Sequence, residues 1–309
     1  MPMIDMQTVI ARLCVDAQFR EAFLKDPDTT LKQFDLTQQE CESIKELDMQ
    51  AIREYASSLV GKRIGIIRKW YRLPFAFLEA KLPRDKVNRI ARRFGVDEIR
   101  ETDEMGGEWV RAEFDRFYAY LRELISTKEI NLTGFSDLLE FEAVRFSMGQ
   151  DPELSSVAAE FSEANQAKEL VFTEEFQKSF GPLLGRHTRI RHFNYNVADL
   201  VTMLEEEMPV PELEEEPNWI LFFKRPHSLQ VDASVINLPL KSLFEMCTGE
   251  WSTVDVISSI ASQYCASSDT PEEELKEDCL AILEQMYSAG AITFTALGDR
   301  KNRADQKAS

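Results

Sequence analysis

Apolar side chains recur at helical spacing through most of the first 150 residues. The stretch "EWVRAEFDRFYAYLRELIS" (108–126) repeats them every three or four positions, and "GFSDLLEFEAVRFSM" (134–148) has the same character. The recurring residues of the first stretch are Val110, Phe114, Phe117, Leu121 and Leu124. Such a stripe lies on one face of an α-helix and is typical of a buried core. The pattern therefore predicts an all-helical N-terminal region.

Local signals divide this region into several helices. Thr37 is followed three residues later by Glu40, which is the capping-box arrangement, and Asp48 is a second candidate N-cap. A proline inside a helical pattern interrupts the helix, because it lacks an N–H group and clashes with the preceding turn. We therefore expect several short helices first, followed by a helical stretch that is interrupted at Pro74 and Pro83.

From residue 187 the periodicity changes. "HTRIRHFNY" alternates and is rich in strand-forming residues. The expected elements are strands at 187–195, 219–225 and 229–236, helices at about 239–248, 252–265 and 271–289, and a short strand in "AITFTAL". Residues 150–185 show no decisive period. The fold class is therefore predicted to be α+β, with helices first and then a three-stranded sheet followed by three helices.

Composition narrows the possible partners. The formal net charge of −18 argues against binding to nucleic acid or to an anionic membrane. No apolar run approaches the roughly 20 residues of a membrane span, and the N-terminus does not resemble a signal peptide. We therefore expect a cytoplasmic protein. The five cysteines form no CxxC pair, so neither a zinc site nor a disulfide framework is indicated.

The charge is unevenly distributed along the chain. Residues 59–100 hold twelve Lys or Arg against four Asp or Glu, whereas residues 201–217 hold seven Glu and no base. A basic block in an acidic protein is typical of a docking surface for an acidic partner. It is equally typical of a solvated helical face, and the sequence leaves both interpretations open.

Standard catalytic motifs are absent from the sequence. It has no glycine-rich phosphate loop, no nucleophile elbow and no HExxH. Of its three histidines, His187 and His192 lie five apart on a predicted strand, so their side chains point to opposite faces and cannot share a metal there. The glutamate runs have the character of solvated charge. We therefore expect a binding subunit with no catalytic residue and no metal of its own.

The C-terminal third resembles the PqqD-like family, also called the RiPP recognition element. The resemblance lies in "INLPLKSLFEMCTGEWSTVDVISSIASQY" followed by "TPEEELKEDCLAILEQMYSAGAI", and it covers roughly residues 186–297. One departure is an insertion at 196–217, between the first and second strands. The resemblance implies a winged-helix-like module that binds the leader part of a ribosomally made precursor peptide.

A winged helix also suggests DNA binding, in which the third helix of the module would read the groove. It carries six acidic residues against Lys276 alone, a net charge of −5. A helix that reads a DNA groove lies among phosphates and is stabilised there by cations. Peptide binding by strand addition at a sheet edge is therefore the better interpretation.

Strand addition predicts a groove between the third strand and the third helix of the module. Alternate strand residues form one row and helix residues at helical spacing form a stripe opposite it. The predicted peptide-binding residues are Leu229, Val231, Ala233 and Val235 on the strand and Leu275, Cys279, Ile282 and Met286 on the helix. The alternative is that these side chains simply pack strand on helix.

Residues 4–148 resemble the helical partner proteins of DUF692-type iron enzymes in peptide-modification clusters, most of all in 3-thiaglutamate biosynthesis. The resemblance lies in "RLCVDAQFREAFLKDPDTTLKQFDLTQQECESIKELD", "SLVGKRIGIIRKWYRLPF" and "GFSDLLEFEAVRF". It implies that a separate multi-iron enzyme excises the β-methylene of a carrier peptide's C-terminal cysteine, with the iron in that enzyme and no cofactor in this chain. The partners of oxazolone- and thioamide-forming enzymes are a more distant match. The first stretch is also similar to the small helical subunit of ring-opening dioxygenases.

Together these observations predict four segments. They are a helical enzyme-docking domain at 1–150, a linking segment at 151–185, a PqqD-like peptide-recognition domain at 186–298 and a disordered tail at 299–309. Aromatic and arginine residues are enriched at interface cores, so the docking surface is predicted at Arg68, Lys69, Trp70 and Tyr71. Two other functions stay open: a stand-alone dioxygenase-like enzyme, and an acidic transcription or scaffold protein.

Overall fold

The computed structural model describes residues 2–96, 107–166, 171–266 and 270–297. Contacts between residues divide the chain into two compact units, Met1–Leu132 and Thr133–Ser309. We call them unit 1 and unit 2. The predicted tail at 299–309 lies outside the described residues.

Unit 1 is helical throughout its described residues. Its helices are α1 (Pro2–Val15), α2 (Ala17–Lys25), α3 (Pro27–Leu31), α4 (Gln38–Lys45), α5 (Met49–Trp70), α6 (Arg72–Lys81), α7 (Arg84–Val96) and α8 (Gly107–Ser126). One core cluster joins the first four helices through Val9, Leu13, Phe19, Phe23, Leu31 and Ile44. A second, aromatic cluster packs Tyr71, Phe75 and Phe94 around Phe117.

The predicted helix signals operate as expected in unit 1. Thr37 and Glu40 form a reciprocal capping box at the start of α4, and the Asp48 carboxylate accepts N–H bonds at the start of α5. The long helical stretch breaks between α5 and α6, with Pro74 in the first turn of α6, and Pro83 lies directly before α7. The all-helical character is confirmed for the described residues of this region.

Unit 2 combines helices with two small sheets. Its elements are α9 (Phe135–Gly149), α10 (Pro152–Gln166), α11 (Glu174–Ser179), β1 (Phe180–Leu184), β2 (Thr188–Phe193), α12 (Val197–Glu205), β3 (Asn218–Lys224), β4 (Val231–Ile236), α13 (Leu238–Met246), α14 (Thr253–Cys265), α15 (Glu272–Ser288) and β5 (Ile292–Ala296). The chain is thus mixed α+β and mostly helical, and it has a small three-stranded sheet. The mixed fold class is confirmed.

The three-stranded sheet is antiparallel throughout, in the order β2-β3-β4. A second, two-stranded sheet pairs β1 with β5. Strand β1 lies in the segment for which the sequence showed no decisive period. After β4 come α13, α14 and α15, in the order expected. Gly249, which follows α13, has a φ of +74°, a left-handed conformation that glycine adopts without steric cost.

The three-stranded sheet has helices on both faces. Because paired residues of an antiparallel sheet share a face, Leu221, Ile190 and Ser234 lie on one side, which we call the front face. Ile282 and Met286 of α15 pack against the front-face cluster that contains Leu221. The opposite, back face carries Phe193 and Phe222, which pack against Phe141 of α9.

This packing explains where the chain divides. The sequence placed the end of the helical domain at 150 and a linking segment at 151–185, whereas the contact division falls between Leu132 and Thr133. Helix α9 falls in unit 2 because its buried Phe141 covers the back face of the sheet. Within 151–185, α10 packs against β5 and β3, and β1 pairs with β5, so these elements are part of the unit 2 architecture.

Candidate peptide-binding edge

Strand β4 forms one edge of the three-stranded sheet. Two backbone hydrogen bonds show which residues of β4 direct their N–H and C=O groups toward β3. The Lys224 N–H donates to the His187 carbonyl at 3.0 Å, and the Arg225 N–H donates to the Gln230 carbonyl at 3.1 Å. Hydrogen-bonded and non-hydrogen-bonded pairs alternate along an antiparallel ladder. With the observed register, Asp232, Ser234 and Ile236 point their backbone groups toward β3.

The intervening residues of β4 therefore point their backbone groups away from the sheet. These residues are Val231, Ala233 and Val235. In the described part of the chain, no residue forms a hydrogen bond with the backbone groups of these three. A strand edge of this kind is a template onto which another extended segment can add.

The opposite edge, β2, is partly satisfied from within the chain. The Thr188 N–H donates to the Gly185 carbonyl at 3.0 Å, and the Ile190 carbonyl accepts a bond from the Arg191 guanidinium at 3.0 Å. Among the described residues, more outward backbone groups therefore lack a hydrogen-bond partner on β4 than on β2.

The predicted strand row lies on the back face of the sheet. Val231, Ala233 and Val235 are paired with Lys224, Phe222 and Ile220, whose side chains point to that face. Val231 is buried, Ala233 is exposed, and Val235 is 51% exposed. Leu229, in the turn before β4, is 68% exposed.

The predicted helix stripe lies over the front face instead. Ile282 and Met286 pack against Leu221 and Ile236, while Cys279 is buried in the core between α14 and α15. Leu275 is half-buried in the first turns of α15. The structure therefore does not bring the strand row and the helix stripe together, because the sheet separates them.

The β4 side chains on the same face as α15 are those of Asp232, Ser234 and Ile236. None of the three was predicted, because the groove lining was assigned to the alternate row of Leu229, Val231, Ala233 and Val235. Ile236 is buried against α15, and Asp232 forms an ion pair with Arg225 at 2.6 Å. Ser234 and Asp232 lie two and four residues before Ile236. Because side chains alternate along a strand, this spacing predicts that all three lie on one face of the sheet.

A fully buried lysine, Lys224, lies on the back face of the sheet next to β4. The Lys224 ammonium donates to the Gly149 carbonyl at the C-terminal end of α9. Burial lowers the pKa of Lys224, and the charge of Asp151 opposes that shift. A cation at the end of a helix is stabilised by the helix dipole, so this lysine joins α9 to the sheet.

Three exposed apolar side chains accompany the open edge. Leu229 precedes β4, Val235 lies on it, and Leu238 begins α13 and is 52% exposed. A peptide that adds to a strand edge forms hydrogen bonds with the unpaired backbone groups and packs its side chains against nearby apolar ones. Exposed aliphatic side chains beside the β4 edge provide that second type of contact.

The predicted docking residues in unit 1 have unequal exposure. Tyr71 is fully buried: its hydroxyl donates to the Phe114 carbonyl at 2.8 Å, and its ring stacks on the Phe114 ring at 4.2 Å. It therefore belongs to the core and not to a docking surface. Arg68 is half-buried and forms an ion pair with Glu79, Lys69 is exposed, and Trp70 is half-buried.

Within the described residues, no group of three or more His, Cys, Asp and Glu side chains is arranged to hold a metal ion. His187 is fully buried and His192 is exposed. No described helix is both long enough and apolar enough to cross a membrane.

Comparison with known proteins adds no assignment. No protein-family model matches this chain, and no curated protein matches it significantly.

Proposed function

We propose that this chain is a non-catalytic partner subunit that binds the leader of a ribosomally made carrier peptide. It presents the peptide's C-terminal cysteine to a separate iron-dependent enzyme of the DUF692 type. The proposal combines the two sequence resemblances with the geometry of the β4 edge. In it, the strands and helices of unit 2 from β2 to α15 act as the PqqD-like recognition module.

The observation that carries the proposal is the open edge of β4. The outward backbone groups of Val231, Ala233 and Val235 lack a hydrogen-bond partner in the described chain, so a guest strand can take the next position in the sheet. The guest's alternate side chains would then face Asp232 and Ser234 on the front and Val235 on the back.

The proposed division of labour needs no chemistry from this chain. A leader held at β4 keeps the reacting cysteine close to the enzyme and raises its effective concentration. Unit 1 docks on the enzyme, and Lys69, which is exposed, and Arg68 and Trp70, which are half-buried, are the members of the predicted surface that lie outside its core.

The Ala233→Pro substitution tests strand addition. Proline removes the N–H that faces the guest and leaves the ladder with β3 intact, because that N–H does not point toward β3. We expect the affinity for a synthetic leader-type carrier peptide that ends in cysteine to fall about tenfold. Fluorescence anisotropy of the labelled peptide measures it.

The matched control is His192→Pro. His192 is exposed, lies on β2, and its N–H points outward from the opposite edge by the same alternation. Equal losses in the two variants, or no loss in Ala233→Pro, would exclude strand addition at β4. Binding to duplex DNA but not to peptide would instead support the transcription-factor alternative. Stoichiometric iron with turnover by the chain alone would support the dioxygenase alternative.

A further inference from the structure

Unit 1 contains a cavity of about 300 Å³ that the proposed peptide-binding function does not use. Four helices line it: the end of α1, the start of α2, the middle of α5, and α7. A water molecule occupies roughly 30 Å³ of liquid volume. The cavity is therefore large enough for a ligand of about ten non-hydrogen atoms, at the small end of ligand sites.

Three arginines line this cavity. Arg20 is half-buried, and its guanidinium donates to the Leu13 carbonyl at 2.7 Å, which fixes it at the end of α1. Arg53 and Arg92 are exposed and form no ion pair or hydrogen bond with another described residue. No carboxylate belongs to the described lining.

This charge arrangement is unusual for the chain. The protein carries 54 acidic side chains against 36 basic ones, so a cavity lined by three arginines and by no described carboxylate runs against its overall composition. Like charges repel one another, and a bound anion would offset that cost. Guanidinium groups are also the side chains best suited to bidentate contact with a carboxylate or phosphate.

The remaining lining is mostly apolar. Val15, Leu59, Val60 and Ile64 contribute aliphatic surface. Gly61 of α5 lines the cavity and has no atom within 4 Å of the position that a Cβ would occupy, so a larger side chain there would enter open space. A ligand with a charged head and a short apolar tail matches this combination of arginines and aliphatic side chains.

We propose that this cavity is a binding site for a compact organic anion, a carboxylate or phosphate head carrying a short aliphatic portion. The head contacts Arg53 and Arg92, and the tail lies against Val60 and Ile64. The inference is independent of the peptide-binding proposal, since it concerns only residues of unit 1.

The test uses the full chain and three probes: hexanoate, its uncharged isostere hexanamide, and inorganic phosphate. Isothermal titration calorimetry is expected to show saturable binding of hexanoate about tenfold tighter than that of hexanamide, because only hexanoate carries the charge. Phosphate binding tighter than hexanoate would assign the head as phosphate. Absence of saturable binding by both anions would overturn the proposal.

Matched variants locate the site. Arg53→Gln and Arg92→Gln should each weaken anion binding about tenfold, whereas Arg89→Gln, an exposed position of α7 outside the cavity, should not. Gly61→Leu should abolish binding by filling the cavity. Gly65→Leu is its control, because Gly65 lies in the same helix, is equally open and does not line the cavity. Equal effects of test and control variants would overturn the assignment.

Cys14 provides a local reporter, since it lines the cavity and is half-buried. Bound hexanoate should slow alkylation of Cys14 by iodoacetamide and leave Cys41 unchanged, as peptide mapping by mass spectrometry would show. Cys41 is also half-buried but packs in the core cluster of the first four helices. Protection of neither thiol, or of both equally, would contradict binding at this place.

Discussion

Arg63 and Glu113 form a buried ion pair that joins α5 to α8. The Arg63 Nε donates to Glu113 Oε2 at 2.7 Å, and its Nη2 donates to Oε1 at 3.0 Å. Arg116 adds a third bond to the same carboxylate at 2.7 Å. The side chains of Arg63 and Glu113 are 8% and 6% exposed, and the Arg63 guanidinium lies over the Phe94 ring. Arg63 is one of the basic residues at 59–100, but its side chain therefore belongs to the interior of unit 1 and not to its surface.

We expect Glu113→Leu to destabilise the protein by roughly 3–5 kcal/mol, because it leaves a guanidinium buried without its carboxylate. Combining it with Arg63→Met should recover most of the loss, since two apolar side chains then replace the pair. Urea denaturation measures each free energy of unfolding. The exposed pair of Arg93 and Glu129 provides the comparison, and Glu129→Ala should cost much less than Glu113→Leu because solvent screens the exposed pair. Additive losses in the double variant would contradict coupling of the buried pair.

The roles of some single residues could be predicted from the sequence, and those of others could not. Caps such as Thr37 and Asp48 could be read from the sequence because their hydrogen bonds reach only the next turn of the chain. The placement of Tyr71 could not be predicted in this way. Its aromatic ring suits an interface or a core equally, and only the packing of α8 against it decides for the core.

At the scale of elements, His187 connects the start of β2 with the end of α15. Its Nε2 donates to the Gly290 carbonyl at 2.9 Å, and its ring contacts Phe161 and Phe223. Gly185 has no room for a side chain, because a Cβ there would lie 2.2 Å from the His187 ring. Burial lowers the pKa of His187 below its ordinary value of 6.5.

This lowered pKa predicts a pH dependence of stability. The unfolded chain takes up the His187 proton first as the pH falls, so the folded state loses stability below about pH 6.5 by up to roughly 1.4 kcal/mol per pH unit. Above that pH the contribution is fully present. His187→Gln should remove this part of the slope in urea denaturation series between pH 7.5 and 5, whereas the exposed His192→Gln should retain it. Parallel slopes in the wild type and His187→Gln would contradict the assignment.

The elements themselves were largely predictable, but their faces were not. The strands β2, β3 and β4 and the three helices after them follow from alternation and helical spacing in the sequence. Alternation shows which residues of β4 share a face, yet it does not show which face α15 covers. The predicted groove therefore paired Val231, Ala233 and Val235 with Ile282 and Met286 across the sheet.

At the scale of the whole molecule, α9 sets the size of the unit that contains the sheet. Its buried residues include Leu138, Phe141, Val144 and Met148, and Phe141 contacts the fully buried Phe222. A fragment that starts after α9 would expose the back face of the sheet and remove the Gly149 carbonyl that accepts from Lys224.

We expect the fragment 133–309 to unfold cooperatively in urea and the fragment 151–309 to lack a cooperative transition. Burying each large aliphatic or aromatic side chain contributes about 1.5–3 kcal/mol, so the four α9 side chains named above contribute roughly 6–12 kcal/mol, comparable to the stability of a whole domain. Near-ultraviolet circular dichroism and urea titration would distinguish the fragments. A stable, cooperative 151–309 would show that α9 is dispensable.

The sequence by itself determined the helices outside residues 150–185, caps such as Thr37 and Asp48, the strands from β2 to β5, and the mixed α+β class. Those features depend on contacts within a few residues and on the period of apolar positions, which a linear pattern contains. Only the tertiary structure decided that Tyr71 and Arg63 are interior, that α9 covers the back face, and that the outward backbone groups of β4 have no hydrogen-bond partner among the described residues. Each of these depends on residues far apart in the chain meeting in space, and the periodicity of a single element does not specify its neighbour.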